Sequence, residues 1–164
     1  MVLITPRRSF NPALMPIKNN DTHWMAKAIQ QAKLAQVNNE VPIGAVIVSN
    51  GELIAKAFNQ PLTLSDPSAH AEIIALRQAG QHLNNYRLNG ATLYVTLEPC
   101  IMCLGAMVHA RIERLVYAAK DPKKNSLLTF EELASSLNHT MVIEGGVLAN
   151  EASALLKNFF KEKR

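Results

Sequence analysis

Apolar residues recur every three or four positions from Asp21 to Asn38, and this period predicts the first helix of the chain. Asp21 or the preceding Asn20 is of the residue type that caps a helix N-terminus. The segment before the helix, residues 1–20, contains prolines and no apolar period. We therefore interpret residues 1–20 as a flexible N-terminal arm and expect the folded part to begin at residue 21.

A β-hairpin is predicted directly after this helix. Residues 41–48 and 53–58 are rich in apolar and β-branched side chains, as strands are. Between them lies Asn50-Gly51, the dipeptide preferred in two-residue hairpin turns. Residues 61–67 follow the hairpin as a loop that leads to the next helix.

Helices and strands alternate through the rest of the chain. The pattern predicts a helix over 67–79 ended by Gly80, a strand over 91–97, a helix from Pro99 to about His109, a strand over 111–119, a loop over 121–125, a short helix over 130–137, a strand over 141–143 and a last helix from residue 150. This succession indicates an α/β protein with a mixed sheet and crossover helices. For a chain of 164 residues, we expect residues 21–164 to form one domain.

Composition and charge narrow the class of protein only slightly. The chain has a formal net charge of +4 and a pI near 9.2, which allows a polyanionic partner. No apolar run approaches the length of a membrane span, and no signal-peptide core follows Arg7 and Arg8. The two cysteines lie three positions apart and form no disulfide framework, so we expect a protein of the reducing cytoplasm.

The strongest chemical signal lies at the two ends of one stretch. His70-Ala71-Glu72 opens it, and Pro99-Cys100-Ile101-Met102-Cys103 closes it. One imidazole and two thiolates suit Zn²⁺, and the chain has no further cysteine that could complete a closed structural site. A fourth position would then be left for water. Glu72 would be a nearby carboxylate suited to transferring protons.

The spacing of these residues supports one shared ion. Cysteines at positions i and i+3 lie on one face of a helix, and Pro99 is suited to the first helical position. The histidine has a similar entry, with Asp66 as the expected N-cap and Pro67 as the first helical residue. Two helix N-termini are therefore expected to meet at one metal, where their positive ends help to hold the cysteines as thiolates.

Each half of this pattern has a simpler explanation when it is taken alone. A single Cys-x-x-Cys can be a redox pair or two buried thiols, and a single His-Ala-Glu can be an ordinary helix start. Together, His-x-Glu followed by Pro-Cys-x-x-Cys is the signature of zinc deaminases. The signature alone also fits deaminases of cytosine, guanine or nucleosides.

Longer stretches of the chain point to a narrower family. They are Glu40–Val46, Asp66–Ile73, Asn85–Leu88, Ala91–Cys100 and Gly105–Met107. In these stretches the chain closely resembles the bacterial tRNA adenosine deaminases of the cytidine deaminase-like superfamily. The resemblance implies a three-layer α/β/α sandwich with a mixed five-stranded sheet, one Zn²⁺ per subunit and a homodimer. It also implies hydrolytic deamination of adenosine to inosine at the wobble position of a tRNA anticodon stem-loop.

The resemblance implies roles for individual residues as well. The zinc ligands of the family match His70, Cys100 and Cys103, and its proton shuttle matches Glu72. Its substrate-binding positions match Asn59, Asp121, Lys123, Phe159 and Phe160. From the residues alone, the two phenylalanines lie at helical spacing beside other apolar side chains, so at least one of them is expected in the core.

One loop departs from the family pattern. Relatives follow the match to Asp121-x-Lys123 with a glycine-rich loop, whereas this chain has Lys124-Asn125-Ser126-Leu127. The departure concerns the expected RNA contacts and not the metal chemistry.

Two other functions stay open: deamination of a free base or nucleoside, and RNA binding by a zinc-stabilised module without catalysis. Glu72 argues against the second, because a purely structural zinc site has no use for an extra carboxylate.

Overall fold

The computed structural model describes residues 18–164, and a five-stranded mixed sheet lies at the centre. The strands are β1 (Gly44–Ser49), β2 (Glu52–Phe58), β3 (Thr92–Leu97), β4 (Arg114–Ala119) and β5 (Val142–Gly145). Their order across the sheet is β2-β1-β3-β4-β5. Strand β1 is antiparallel to β2 and β3, whereas β3, β4 and β5 run parallel to one another. The predicted mixed sheet is confirmed.

Six α-helices accompany the sheet within the described residues. They are α1 (Lys18–Val37), α2 (Pro61–Leu64), α3 (Ala71–Leu83), α4 (Ile101–His109), α5 (Ser126–Leu133) and α6 (Ala149–Glu162). A single 3₁₀ turn, Ala134–Ser136, follows α5. None of these helices between residues 18 and 164 has the length and hydropathy needed to cross a membrane.

The sheet buries apolar side chains on both of its faces. In β1, Ala45 and Ile47 enter one core cluster, while Val46 and Val48 enter another. The first cluster also contains side chains of α3 and α4, and the second contains side chains of α1 and α6. Because side chains alternate along a strand, a sheet that is apolar on both faces needs helices on both faces. The three-layer α/β/α sandwich that the family resemblance implies is confirmed.

Two glycines have specific roles in the first hairpin. Asn50 and Gly51 have φ angles of 51° and 76°, as a type I′ turn requires, and this confirms the predicted turn. At the start of β1, a Cβ atom on Gly44 would overlap the backbone of Ala28 in α1. The missing side chain at Gly44 therefore lets α1 pack directly against the sheet.

Helix α3 begins four residues later than the sequence pattern predicts. It starts at Ala71 with His70 as its N-cap. Asp66 instead accepts hydrogen bonds from the backbone N–H of Ser68 at 2.8 Å and from its hydroxyl at 2.7 Å. These bonds close a local turn of the kind that aspartate favours outside helices. The predictions of Asp66 as N-cap and Pro67 as the first helical residue are therefore wrong.

The far end of α3 and the start of α4 also differ from prediction. Helix α3 continues through Gly80 to Leu83, because a glycine weakens a helix without breaking it. The helix ends at Asn84, which takes a left-handed conformation with φ of 49°. In α4 the N-cap is Cys100, so Pro99 precedes the helix and is not its first residue.

Several strand and loop boundaries differ as well. Strand β1 begins at Gly44 rather than residue 41, and the predicted loop 61–67 contains the short helix α2. Strand β4 begins at Arg114 rather than residue 111, and the φ of 60° at Arg111 is one that strand residues do not adopt. Helix α5 begins at Ser126, four residues before its predicted start.

Asp21 has a different structural role from the predicted helix cap. It lies inside α1, which begins at Lys18, and its buried carboxylate accepts two hydrogen bonds of 2.7 Å from Arg114 and one of 2.8 Å from the Tyr94 hydroxyl. Burial alone would raise the pKa of Asp21, but the hydrogen bonds from Arg114 and Tyr94 outweigh it and hold the pKa below its ordinary value. These contacts of Asp21 connect α1 with β3 and β4.

Residues 1–17 of the predicted N-terminal arm lie outside the described residues.

Candidate active site

Two helix N-termini bring the predicted metal ligands together. His70 is the N-cap of α3 and Cys100 is the N-cap of α4, each with an extended backbone. Cys103 follows in the first turn of α4, and its side chain is buried. Strand β3 ends at Leu97, just before this helix. The site therefore lies beyond the carboxyl end of a strand, where ligand sites of α/β sheets form.

The three ligand atoms form an almost equilateral triangle. Nδ1 of His70 lies 3.6 Å from Sγ of Cys100 and 3.6 Å from Sγ of Cys103, and the two sulfurs are 3.7 Å apart. A tetrahedral zinc ion with ordinary Zn–S and Zn–N bonds requires N···S separations of about 3.6 Å and an S···S separation of about 3.8 Å. The three side chains therefore fit three corners of a zinc tetrahedron, and the fourth corner has no protein ligand among the described residues.

The two cysteines differ in their protonation. The side-chain hydrogen bond between Cys103 and Cys100 lowers the pKa of Cys100 to about 3, and a hydrogen bond with His70 adds to this effect. The same hydrogen bond, together with burial, raises the pKa of Cys103. Hydrogen bonding to Cys100 also raises the pKa of His70. Cys100 is therefore held as a thiolate, the form of cysteine that binds metals.

Glu72 lies beside this triangle, in the first turn of α3. Its side chain is 4% exposed, and burial raises the pKa of its carboxyl to about 7, with a further contribution from the charge of Cys100. The charge of this carboxylate in turn adds to the rise in the pKa of Cys103. A carboxyl group with a pKa near neutrality can both accept and release a proton at pH 7.

A cavity of about 850 Å³ lies beside the predicted metal ligands, of which His70 lines it. The other predicted site residues that line it are Asn59, Asp121, Lys123 and Phe160. Asn59 is buried, and its backbone N–H donates to the carbonyl oxygen of Ile43 at 3.0 Å. The structure thus gathers residues from four separate segments of the sequence around one cavity.

The two adjacent phenylalanines of α6 have different surroundings. Phe160 lines the cavity and is 49% exposed, whereas Phe159 is 6% exposed. The ammonium group of Lys163 lies 5.2 Å from the centre of the Phe159 ring and 2.6 Å from Oδ1 of Asn39. The expectation that at least one of the two rings belongs to the core is confirmed for Phe159.

Basic side chains from two elements line the same cavity. They are Lys120, Lys123, Lys124, Lys157, Lys161 and Arg164. Of these six, only Lys123 is assigned to the site from the sequence. The spacing of Lys157 and Lys161 in α6 contained a signal, because residues at i and i+4 lie on one face of a helix and Phe160 at i+3 lies on that face too. Arg164 follows the end of α6 at Glu162.

The loop after β4 is ordered by its own aspartate. The Asp121 carboxylate accepts a hydrogen bond of 3.0 Å from the backbone N–H of Lys123 and lies 3.5 Å from the Lys124 ammonium. Residues 124–127, which depart from the glycine-rich pattern, then run directly into α5 at Ser126. A sequence without glycine here allows the helix to begin within the segment.

The three-layer fold, the His-Cys-Cys triangle and the buried glutamate together define a deaminase. A sequence model of the MafB19-like deaminase family matches residues 19–164. The chain belongs to this family.

Individual relatives show more narrowly which deaminases the chain is similar to in sequence and structure. A tRNA-specific adenosine deaminase of Buchnera aphidicola subsp. Schizaphis graminum is 46% identical over 149 residues, which are 89% of this chain and 97% of the relative. A structure from a study of A-to-I editing by tRNA:A34 deaminases at the wobble position of transfer RNA is 42% identical, with a TM-score of 0.78 over 82% of this chain and 99% of that chain. A guanine deaminase from Bacillus subtilis is also 42% identical, but with a TM-score of 0.57 over 60% of this chain and 63% of that chain. The chain is similar to tRNA-specific adenosine deaminases over almost their whole length.

Proposed function

We propose that His70, Cys100 and Cys103 bind one Zn²⁺ per subunit. The separations of 3.6 to 3.7 Å between their ligand atoms support zinc, and two sulfur ligands disfavour magnesium and calcium. When bound, zinc supplies a water of lowered pKa, about 7, which serves as a nucleophile at neutral pH.

We infer that Glu72 moves the protons of the reaction. Its carboxylate accepts a proton from the attacking water and delivers it to a ring nitrogen of the purine, and then accepts the proton of the newly added hydroxyl group and delivers it to the departing amine. The burial of Glu72 close to the metal ligands supports this double use, because one carboxyl group held at the reacting atoms can act first as a base and then as an acid. Its place in the first turn of α3, two residues after His70, keeps the carboxylate next to the metal ligands.

The target base is proposed to enter the cavity lined by His70. A volume of about 850 Å³ lies within the range of small-molecule sites and has room for a nucleoside. We propose that the Asn59 side chain contacts this nucleotide. A base that is already unpaired in a loop enters such a cavity at little cost, since no base pair has to be broken.

We propose a tRNA anticodon stem-loop as the binding partner. Six basic side chains line the cavity and would neutralise phosphates on either side of the target base. Phe160, at the edge of the cavity, is exposed enough to stack on a neighbouring base. Phe159 is buried, so we propose that it supports this end of α6 and does not touch RNA directly. Asp121 and Lys123 remain the proposed contacts from the loop after β4.

The reaction proposed is the hydrolytic deamination of adenosine to inosine at the wobble position of tRNA, in the cytoplasm. The observation that carries it is the combination of the metal triangle and Glu72 with a cavity rich in lysine. The names of the relatives support the same reaction, since this chain spans 97% of a tRNA-specific adenosine deaminase.

The test is to incubate the zinc-loaded protein with two stem-loops that differ only in adenosine or guanosine at the wobble position, and with free guanine, cytosine and adenosine. Ammonia release and inosine formation are expected only with the adenosine-containing stem-loop. The second candidate is a guanine deaminase, which the similarity to the Bacillus subtilis enzyme favours. Ammonia release from free guanine at a rate above that from RNA would establish the second candidate instead.

We also propose a homodimer. A groove of about 820 Å³ runs between α3 and α4, and Tyr86 at its edge is 69% exposed. Apolar side chains of Ile73, Leu76 and Ala106 line the groove, which is the composition expected of a face that a second copy covers. Light scattering should give twice the mass of the chain, and Tyr86→Glu should shift the protein toward the monomer.

A further inference from the structure

Four charged side chains are buried in the described part of the chain, and two of them have no role in the chemistry proposed above. Asp21 pairs with an arginine, and Glu72 lies at the metal ligands. The other two are Glu40, which is 1% exposed, and Glu98, which is 4% exposed. Neither takes part in an ion pair with any residue from 18 to 164. A carboxylate is buried at such a cost only where hydrogen bonds compensate it.

Glu98 connects the end of β3, which leads to Cys100, with the lysine-containing loop after β4. Its backbone N–H donates to the carbonyl oxygen of Ala119 at 2.8 Å, which fixes the end of β3 beside the end of β4. Its carboxylate oxygen Oε2 accepts the backbone N–H of Asp121 at 3.1 Å. Asp121 lies in the loop after β4, which supplies three of the cavity lysines, Lys120, Lys123 and Lys124, and Glu98 lies two residues before Cys100. One side chain therefore sets the position of this loop relative to the metal site.

Glu40 makes the equivalent connection to the other loop of the cavity. Its Oε1 atom accepts the backbone N–H of Thr63 at 2.6 Å and the Thr63 hydroxyl at 2.9 Å. Thr63 lies in α2, whose first residue, Pro61, lines the cavity together with Asn59. Glu40 is itself anchored, because its backbone N–H donates to the carbonyl oxygen of Ala35 at the end of α1.

We propose that Glu40 and Glu98 are positioning residues, each of which holds one wall of the substrate cavity through its backbone. Hydrogen bonds to a carboxylate are roughly twice as strong as those between neutral groups, and burial strengthens them further. The loops they hold carry Asn59 on one side and Lys120–Lys124 on the other. This inference rests on the proposed function, because it assigns these loops to RNA binding.

The first test is amide hydrogen exchange of the zinc-loaded full-length protein. Glu98→Ala is expected to accelerate exchange about tenfold or more in a peptide covering residues 120–125 and to leave a peptide covering residues 61–65 unchanged, while Glu40→Ala gives the opposite pattern. Glu98→Gln and Glu40→Gln retain an acceptor oxygen and should restore protection. If either alanine variant accelerates exchange in both peptides equally, or in neither, the proposal is wrong.

The second test is kinetic and uses the adenosine-containing stem-loop. Glu98→Ala should raise KM about tenfold or more with a smaller change in kcat and an unchanged zinc content, and Glu98→Gln should restore KM. Glu98→Asp, which keeps the charge but is shorter by one methylene, should behave like the alanine variant and covers the case in which Glu98→Ala does not fold. A loss of zinc, or a fall in kcat at constant KM, would contradict the proposal.

The two tests also separate this inference from the function on which it rests. If the wild-type protein deaminates no RNA, the proposed function fails, and the exchange pattern still decides whether the two carboxylates hold their loops. If the wild-type protein is active and the variants keep its KM, the positioning role alone fails.

Discussion

His70 and Cys100 occupy equivalent positions in two different helices, since each is the N-cap residue, and their ligand atoms lie 3.6 Å apart. An N-cap residue has an extended backbone and leaves its side chain free to point away from the helix axis. Neither side chain caps its own helix by a hydrogen bond. Both are therefore available to a shared ion, and Cys103 adds the third ligand one helical turn later.

The first prediction concerns the metal. Cys103→Ser should reduce bound zinc from about one ion per chain to less than one tenth of that, because two protein ligands do not hold zinc against exchange. Elemental analysis of protein purified without chelator measures this directly. Met102→Ala is the matched control, since Met102 lies on the same helix with its side chain 39% exposed, and it should keep full zinc content. Equal zinc content in both variants would remove Cys103 from the site.

The second prediction separates proton transfer from metal binding. Glu72→Gln keeps the size of the side chain but cannot accept a proton, so kcat should fall by a factor of about 10² to 10⁴ or more. Zinc content and melting temperature should stay close to those of the wild type, because Glu72 is not a ligand. Single-turnover deamination of the stem-loop gives the rate. A variant with activity near that of the wild type would exclude Glu72 as the proton carrier.

The third prediction concerns the buried cluster around Asp21. Arg114 contacts Asp21 and Glu144, and its side chain is 13% exposed. Because Asp21→Asn removes one charge of a buried pair, the free energy of unfolding should fall by about 3 kcal/mol at pH 7. Urea denaturation of the two proteins measures the difference.

The pH dependence of this difference follows from the lowered pKa of Asp21. A carboxyl group whose pKa is lower in the folded state stabilises the fold above its unfolded pKa, near 3.8, and loses this effect as the pH falls through the folded pKa. The gap between wild type and Asp21→Asn should therefore be constant from pH 5 to pH 8 and narrow below about pH 4. A gap that stays constant down to pH 3 would show that the charge of Asp21 does not matter.

Much of the fold and the metal site could be predicted because the signals are local. The apolar period of α1 and the Asn50-Gly51 turn each depend on residues within a few positions of one another. The spacing of Cys100 and Cys103 is equally local. The first residues of the helices were predicted less well. The sequence Asp66-Pro67 is compatible both with the N-terminus of a helix and with a turn that lies outside any helix. Only the contacts around them decide which one forms.

The hydrogen bonds by which Glu40 and Glu98 hold the cavity loops could not be predicted, because they join distant parts of the chain. Glu98 and Asp121 are separated by 23 residues, as are Glu40 and Thr63, and nothing in either glutamate's neighbours along the chain indicates its partner. The face of α6 that carries Lys157 and Lys161 was not assigned to the site for a different reason. Its lysines look like an ordinary solvated surface until the helix is placed beside the cavity.

The last prediction uses this face of α6. Lys157 lines the cavity, whereas Lys163, six residues later at the C-cap of the same helix, is bound to Asn39 and lies over the Phe159 ring. Lys157→Ala should weaken binding of the anticodon stem-loop and reduce the slope of log Kd against log salt by about 0.7, the value for one phosphate contact in a single-stranded region. Lys163→Ala removes the same charge and should leave the slope unchanged. Fluorescence anisotropy between 50 and 300 mM salt measures both slopes, and equal reductions in the two variants would mean that net charge, and not this face of α6, governs RNA binding.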